Sequence, residues 1–575
     1  MSSPEWSTRT FGNEDRLPRV PVPTLEDSRR RFLEWCAPLL TPEELAETEA
    51  ALAEFLAGPG PELQARLEEY DRSPGVRSWL DTFWPYRYLG RRDRIALNAN
   101  FFFLFQDSPL GQVERAAELT AAAVDYKLKL DDERVPPVLL RGTPQSMVQH
   151  KYLFSATRIP GALLDTARTR FPSPERHIVV FSKGTPFRLD VIAEDGRPHS
   201  AAQLADALRA ILKDDHVADV PAGPFTTKAR AEWAASRAAL LEAGNAAALE
   251  TIETALFCLC LDDFTPADDL EAGDRLLYGD NRWYDKAVSL VVFEDGTAGI
   301  NVEHCELDGT TILGFTDALL SGSREDREPA DGVPAHEVVE FTLTDELRED
   351  ARAAREAFKA YADATATQTV SFDFGANRAK ELGMSPDAFA QMSYQLAHRR
   401  AKGLTGATYE SIATRQFQNG RTEAMRVVTP EVVRFADVMT SDASVEEKRE
   451  AFRAAAAKHV ARAKECQAGD APEQHLWELQ LIGKRRGDAD PALFSSPGWL
   501  KSRDDYLSTS SAPSVNIRYF GFGSTSPQCI GIAYVLLPDR WNIYLSTPKH
   551  VSAEMYRFAD ELAVAVRELQ ELLAE

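Results

Sequence analysis

The chain has 575 residues, a formal net charge of −24, and 44% hydrophobic against 27% charged content. That is apolar material for a large core in two or more globular units, and too much for a disordered chain. The acidic surplus argues against non-specific nucleic-acid binding and against attachment to an anionic membrane, both of which need a positive field.

Cys36, Cys258, Cys260, Cys305, Cys466 and Cys529 are too few and too scattered for a disulfide framework. No apolar run approaches a membrane span, and the start lacks the apolar segment of a signal peptide. A cytoplasmic protein is expected.

In chain order, residues 1–24 read as a proline-bearing arm, with Arg19 to Thr24 (RVPVPT) at its end. Residues 25–90 read as N-terminal helices. One begins after Thr24, and a second follows the capping box Thr41-Pro42-Glu43-Glu44 and stops at Gly58-Pro59. Ser78 to Asn100 is an aromatic packing segment. A first α/β unit spans 91–345, with helices at Val113–Leu130 and Met147–Arg158 and strands at His177–Ser182 and Thr185–Ile192. Helices are expected at Ala201–Leu212, Thr227–Ala243 and Asn245–Leu261, and a strand at Glu337–Leu343. A second α/β unit spans 346–575. It opens on an Ala-rich helix (Thr344–Ala366) and continues with helices at Pro386–Arg400, Val445–Lys464 and Gln474–Arg485. Strands at Val515–Phe520, Ile530–Leu536 and Trp541–Ser546 precede a closing amphipathic helix from Ser552.

Leu277 to Phe315 carries the chemistry. Val288–Phe293 and Ala298–Val302 read as a hairpin turned by Glu294-Asp295-Gly296. His304 stands at the end of the returning strand, held by a sheet yet reaching into a loop, which suits a general base. Asp308, four residues on, is placed to orient the ring and stabilise the imidazolium. Cys305 adjoins His304, but neighbouring side chains diverge, so it reads as a bystander.

The motifs together resemble the choline/carnitine O-acyltransferase family over most of the chain. They are Leu17-Pro18 with Pro21-Val22-Pro23, Ser78-Trp79 through Asn100, and Arg158-Ile159-Pro160-Gly161. Asn281-Arg282-Trp283-Tyr284-Asp285-Lys286, Glu303-His304 with Asp308-Gly309, and Ser385-Pro386-Asp387-Ala388-Phe389 follow. Thr408-Tyr409-Glu410-Ser411, Gly420-Arg421-Thr422-Glu423 and Ser508-Thr509-Ser510 complete the series. Each is weak alone; their collinear order carries the resemblance.

The resemblance implies two similar α/β domains of the chloramphenicol-acetyltransferase-like type, with a tunnel at their interface. It also implies acyl transfer between coenzyme A and an alcohol, with no permanently bound cofactor and no metal. By it, His304 is the base, Asp308 its carboxylate, and Ser510 the oxyanion holder. The coenzyme A contacts fall on Lys380, Ser385, Asp387 and Glu410. The acceptor contacts fall on Tyr409, Thr422, Ala424, Gln474, Ser508 and Tyr544. A second Ser-Thr-Ser at Ser524-Thr525-Ser526 lies downstream of Phe520-Gly521, whereas the family motif lies upstream.

Two departures bear on substrates. Carnitine enzymes grip the acceptor carboxylate with a tyrosine, a threonine and an arginine; here Tyr409 is kept, while Ala424 and Gln474 stand in the other two places. Losing the partner of a buried charge costs about 2–5 kcal/mol, so an acceptor other than carnitine is expected. Tyr544, in the place of an aromatic near the trimethylammonium, leaves a cationic acceptor open. On the donor side Lys380 is kept, Ala376 replaces another lysine, and Glu381 opposes a phosphate while Arg378 suits one. Free acyl-CoA is the first expectation. Transfer or release from a carrier-protein phosphopantetheine arm is the second, and a non-catalytic binding relic the third.

Overall fold

A computed structural model describes residues 5–574; the first four residues of the N-terminal arm lie outside that range. Two compact units divide the chain. One comprises residues through Asp15, Trp84–Thr367 and Ala512–Gly523, and the other Arg16–Phe83, Gln368–Ser511 and Ser524 onward.

The first unit is built on an eight-stranded mixed sheet. Its order is His336–Val338, Thr185–Asp190, His177–Ser182, Cys258–Leu261, Val288–Val292, Ala298–Val302, Phe101–Phe105 and Ile517–Phe522. Cys258–Leu261 runs parallel to both neighbours, and the other pairs are antiparallel. Phe101–Phe105 (FFFLF) is buried at every residue, as a strand covered on both faces must be. The helix Gln112–Asp131 packs on Val288–Val292 and Cys258–Leu261, and Asp269–Tyr278 packs on the strands at the other edge.

The second unit has a six-stranded sheet, ordered Thr365–Phe372, Trp541–Pro548, Ile530–Leu536, Leu507–Ser511, Thr408–Ala413 and Thr422–Arg426. The helices Pro386–Lys402, Val445–Gln467 and Ser552–Ala574 pack on one another. Met555, Phe558, Leu562, Val566 and Leu569 are all buried, as the amphipathic pattern requires. The N-terminal helices Leu25–Cys36 and Pro42–Ala57 belong to this unit, capped by Thr24 and by the full Thr41–Glu44 capping box.

Several elements differ from the sequence expectation. Met147–Arg158 is not one helix: a 3-10 turn at Val148–Tyr152 gives way to a strand at Thr157–Ile159. Asn245–Leu261 is a helix only over Ala246–Thr254, after which Cys258–Leu261 becomes a central strand. A short apolar run serves a buried strand as well as a buried helix, and periodicity cannot separate them. The expected helix to Ala366 stops at Asp363, where Thr365–Phe372 starts as a strand. The expected strand Glu337–Leu343 is only His336–Val338. Ile517–Phe522, from the last part of the chain, pairs with Phe101–Phe105 in the first unit's sheet.

Two buried histidines of the second unit make folding acid-sensitive. His475 Nε2 lies 2.7 Å from Gln64 Oε1, so it donates, and Nδ1 accepts from the Ser28 hydroxyl at 2.6 Å. Burial pushes His475 down to about 3, and burial followed by the Lys402 charge pushes His398 down to about 4. Both are neutral in the fold and regain an ordinary value near 6.5 when the chain unfolds. Below that value the unfolded chain binds more protons, so stability falls as the pH drops from 6.5 toward 4. The slope is about 1.4 kcal/mol per pH unit per histidine. The midpoint of urea unfolding is expected to drop between pH 7 and pH 5, and His475→Gln is expected to flatten that drop; an unchanged pH slope in the variant contradicts it.

Candidate functional site

The hairpin forms as its residues dictate. Val288–Val292 and Ala298–Val302 pair in register, and Gly296 takes φ +87° in the turn, a region closed to most side chains. Where the returning strand leaves the sheet, His304 lies parallel to the Tyr88 ring at 4.9 Å and meets the edge of Phe101 at 5.1 Å. Its Nδ1 is 3.6 Å from Asp308 Oδ1. The His304 side chain is 28% exposed and that of Asp308 only 4%, so the ring is reachable while its carboxylate is shielded.

Asp308 is itself held. Gln149 Nε2 donates to Asp308 Oδ2 at 2.7 Å, and Gln149 Oε1 accepts from Asp308 N at 2.9 Å and from the Thr311 hydroxyl at 2.7 Å. Asp308 also immediately precedes the helix Gly309–Ser321, whose first-turn dipole favours an anion. The sequence reading missed Gln149. It sits over 150 positions away in the stretch misread as helix, and an isolated Gln carries no spacing signal. Gln149→Leu is expected to lower kcat/KM by about tenfold, by loosening an orienting carboxylate, and to lower Tm as well, because buried Asp308 and Thr311 lose their partner. Equal activity in a thiol-release assay removes Gln149 from the machinery.

A buried ionic network fixes the histidine's surroundings. Arg158 reaches Glu303 at 3.1 Å, Asp165 at 2.7 Å and the Tyr88 carbonyl at 2.8 Å. Arg230 shares Asp165 at 2.7 Å and bonds Asp285 at 2.8 Å, and Trp233 Nε1 donates to Asp285 at 2.5 Å. Burial works against the Arg158 charge, but Glu303 and Asp165 outweigh it and hold the guanidinium above its ordinary value. One arginine therefore ties the residue before His304 to the aromatic ring beneath it. Cys305 is buried, and burial, then Glu303 and Glu306, push its thiol well above its ordinary value; it is no nucleophile at neutral pH.

In the second unit, strand alternation sorts the remaining candidates. Tyr409 pairs with Arg426 and with Ser508, Ser411 with Ala424, Ala413 with Thr422, and Ala533 with both Ser510 and Tyr544. Thr422, Ala424, Tyr409, Ser508, Ser510 and Tyr544 consequently share one face of the sheet. Gln474, on the helix Glu473–Arg486, donates to the Thr422 main-chain carbonyl at 3.0 Å at the sheet's free edge, next to the Glu473 that bonds the Arg426 side chain on this face.

Glu410 and Asp387 do not share that face. Glu410 lies on the opposite face with Thr509 and is 5% exposed. Asp387, in the first turn of Pro386–Lys402, accepts from Tyr534 at 2.6 Å and from His459 at 3.0 Å. Burial, then the Asp387 charge, push Glu410 well above the usual carboxylate range. Burial also opposes the charge on Asp387, but His459 and Tyr534 hold its carboxyl below the usual range. Ligating atoms of Asp387, Glu410 and His459 lie within 4.8 Å of one another, a set able to hold a metal by type and spacing. The two donated hydrogen bonds give Asp387 its partners without one. Gln391 donates to Thr509 Oγ1, and Thr509 donates to the Tyr409 carbonyl, so this polar core braces the strands from below. Of the other two coenzyme A candidates, Ser385 caps Pro386–Lys402 and Lys380 is exposed on Ala376–Glu381. Arg378 pairs with Glu381 at 3.1 Å on the surface.

The profile of the family described as Choline/Carnitine o-acyltransferase matches residues 20–564. The mitochondrial carnitine O-palmitoyltransferase 2 of Rattus norvegicus is 32% identical over 92% of this chain and 88% of its own length. The carnitine O-acetyltransferase of Homo sapiens is 30% identical over 99% of this chain and 95% of its own. A trichothecene 15-O-acetyltransferase structure from Fusarium sporotrichioides aligns over 83% of this chain and 93% of that one, at 10% identity and a TM-score of 0.40.

Proposed function

The chain belongs to the choline/carnitine O-acyltransferase family and is an acyltransferase of the two-unit α/β, chloramphenicol-acetyltransferase-like type; we propose that it moves an acyl group between acyl-CoA and a small alcohol other than carnitine, with His304 as general base. The observation that carries the mechanism is the His304–Asp308 pair, with Asp308 clamped by Gln149.

An alcohol O–H donates its proton to His304 Nε2 as the oxygen attacks the thioester carbonyl. The tetrahedral oxyanion is received by Ser510, a contribution of about 2.7–4 kcal/mol for one such donor. Collapse breaks the carbon–sulfur bond, and the imidazolium, stabilised by Asp308, returns the proton to the coenzyme A thiolate. No covalent enzyme intermediate is needed.

Ala424 on the Tyr409 face and Gln474 at the sheet's edge support an acceptor other than carnitine, although the relatives named above are carnitine enzymes. Lys380, Ser385, Asp387 and Glu410 are the donor-side contacts in this reading, with the Asp387 side chain partly exposed and Glu410 buried beside it, away from the acceptor face. No observation favours a carrier-protein donor. All six cysteines are buried and none forms a disulfide, which supports a reducing compartment such as the cytoplasm. Among the described residues no helix is long and apolar enough to cross a membrane.

The test is to incubate the full chain with acyl-CoAs of increasing length and a panel of alcohols, following thiol release and ester mass. Ester and free thiol are expected in equal amounts, with carnitine a poor acceptor. No ester from any acyl-CoA overturns the activity assigned here, and carnitine as the preferred acceptor overturns the substrate part.

A further inference from the structure

Gln474 is 4% exposed, and its side-chain Nε2 donates to the Thr422 carbonyl at 3.0 Å. That carbonyl can only accept, so the amide orientation is settled by its partner and the oxygen must point away. Gln474 Oε1 is buried and has no hydrogen-bond partner among the described residues. Gln391 Oε1 and Gln395 Oε1 are unmatched too, on the buried helix Pro386–Lys402; what sets Gln474 Oε1 apart is its place beside candidate binding residues, where a ligand that donates can satisfy it.

The candidate residues of the Tyr409 face offer a carboxylate hydroxyl groups but no uncompensated positive charge. Arg426, which pairs with Tyr409 across the strands and lies over its ring at 5.5 Å, is the guanidinium at hand. Its Nε and Nη2 bond both oxygens of Glu473 at 2.6 and 2.8 Å, and its Nη1 bonds Asp505 at 2.6 Å. Two carboxylates take three of its five N–H donors and balance its charge. Ala424, paired with Ser411 and 5% exposed, adds a methyl group and no polar atom.

We infer that the acceptor alcohol carries a second hydrogen-bond donor, a hydroxyl or an amine, which donates to Gln474 Oε1, and that it carries no carboxylate at that end. This rests on the acceptor reading of the Tyr409 face given above and narrows it to diols and amino alcohols. A carboxylate in that place meets an amide oxygen, a methyl group and a neutralised guanidinium, so it loses its hydration without gaining a counter-charge.

Four acceptors of one chain length separate the outcomes: butanol, butanediol, aminobutanol and hydroxybutyrate, each offered with acyl-CoA to the full chain. Butanediol or aminobutanol is expected to exceed both butanol and hydroxybutyrate in kcat/KM by at least about tenfold, the effect of one satisfied buried acceptor. Whichever of the two is faster tells a neutral partner from a cationic one. Gln474→Met, close in size but without the oxygen, is expected to bring the preference over butanol to about one. Equal use of butanol and the donor-bearing acceptors by the unaltered protein overturns the inference, as does a preference for hydroxybutyrate or no acceleration by either donor-bearing alcohol. Loss of acyl-CoA cleavage in His304→Ala, read in the same assay without acceptor selectivity, separates a failure here from a failure of the general reading.

Discussion

Replacing His304 by alanine is expected to lower kcat/KM by about 10²–10⁴-fold, the usual contribution of a positioned general base. An alcohol is far too weak an acid to shed its proton unaided at neutral pH, so attack on a thioester needs a base at the right distance. His304 is the accessible base in the first unit that has a shielded carboxylate of its own, 3.6 Å from Nδ1. The loss is expected in kcat more than in KM, because proton transfer belongs to the transition state and not to the ground state. Free imidazole added to His304→Ala is expected to restore part of the rate. Folding is expected to survive, since the ring is partly exposed and the underlying Tyr88 is held separately by Arg158. Turnover within threefold of the unaltered protein, with about the same substrate pair, would sink the mechanism.

The second large effect concerns stability. Asp165→Leu is expected to cost about 3–5 kcal/mol, because it leaves buried guanidiniums without their shared counter-charge. Asp165 is completely buried and binds Arg92 at 2.8 Å and both Arg158 and Arg230 at 2.7 Å. Arg158 also carries Glu303 and the Tyr88 carbonyl, so activity is expected to fall with stability as the bed of His304 loosens. Asp165→Asn, which keeps an acceptor oxygen but no charge, is expected to fall between. Chemical unfolding followed by fluorescence and by activity measures both; a loss below about 1 kcal/mol would mean the network relaxes around the gap.

The placing of His304 beside Asp308 was legible from the chain alone because its elements are local. A β-branched run, a Glu-Asp-Gly turn and a returning strand place His304 by short-range rules, and Asp308 follows within a turn. The capping box at Thr41–Glu44 and the closing amphipathic helix were legible for the same reason: their partners lie within a few residues. Tyr409 and Glu410 show the limit. The resemblance assigns Tyr409 to the acceptor and Glu410 to coenzyme A without showing how neighbours could serve two ligands; strand alternation sends them to opposite faces. Once Thr408–Ala413 is seen to be a strand, the separation is forced. The motif by itself did not reveal the strand.

Sequence thus determined the family, the adjacency of His304 and Asp308, and which side chains stand at the motif positions, because side-chain identity at a motif position is a local property. Tertiary structure alone decided which residues support those positions. Gln149 reaches Asp308 from more than 150 residues away, Asp165 joins arginines from three segments, and Ile517–Phe522 enters the first unit's sheet from near the end of the chain. Contacts of that kind depend on how distant segments are buried together, and burial satisfies polar groups pair by pair, whatever their separation along the chain. The same accounting exposes Gln474 Oε1 as a buried acceptor awaiting a donor, which spacing alone could not have shown.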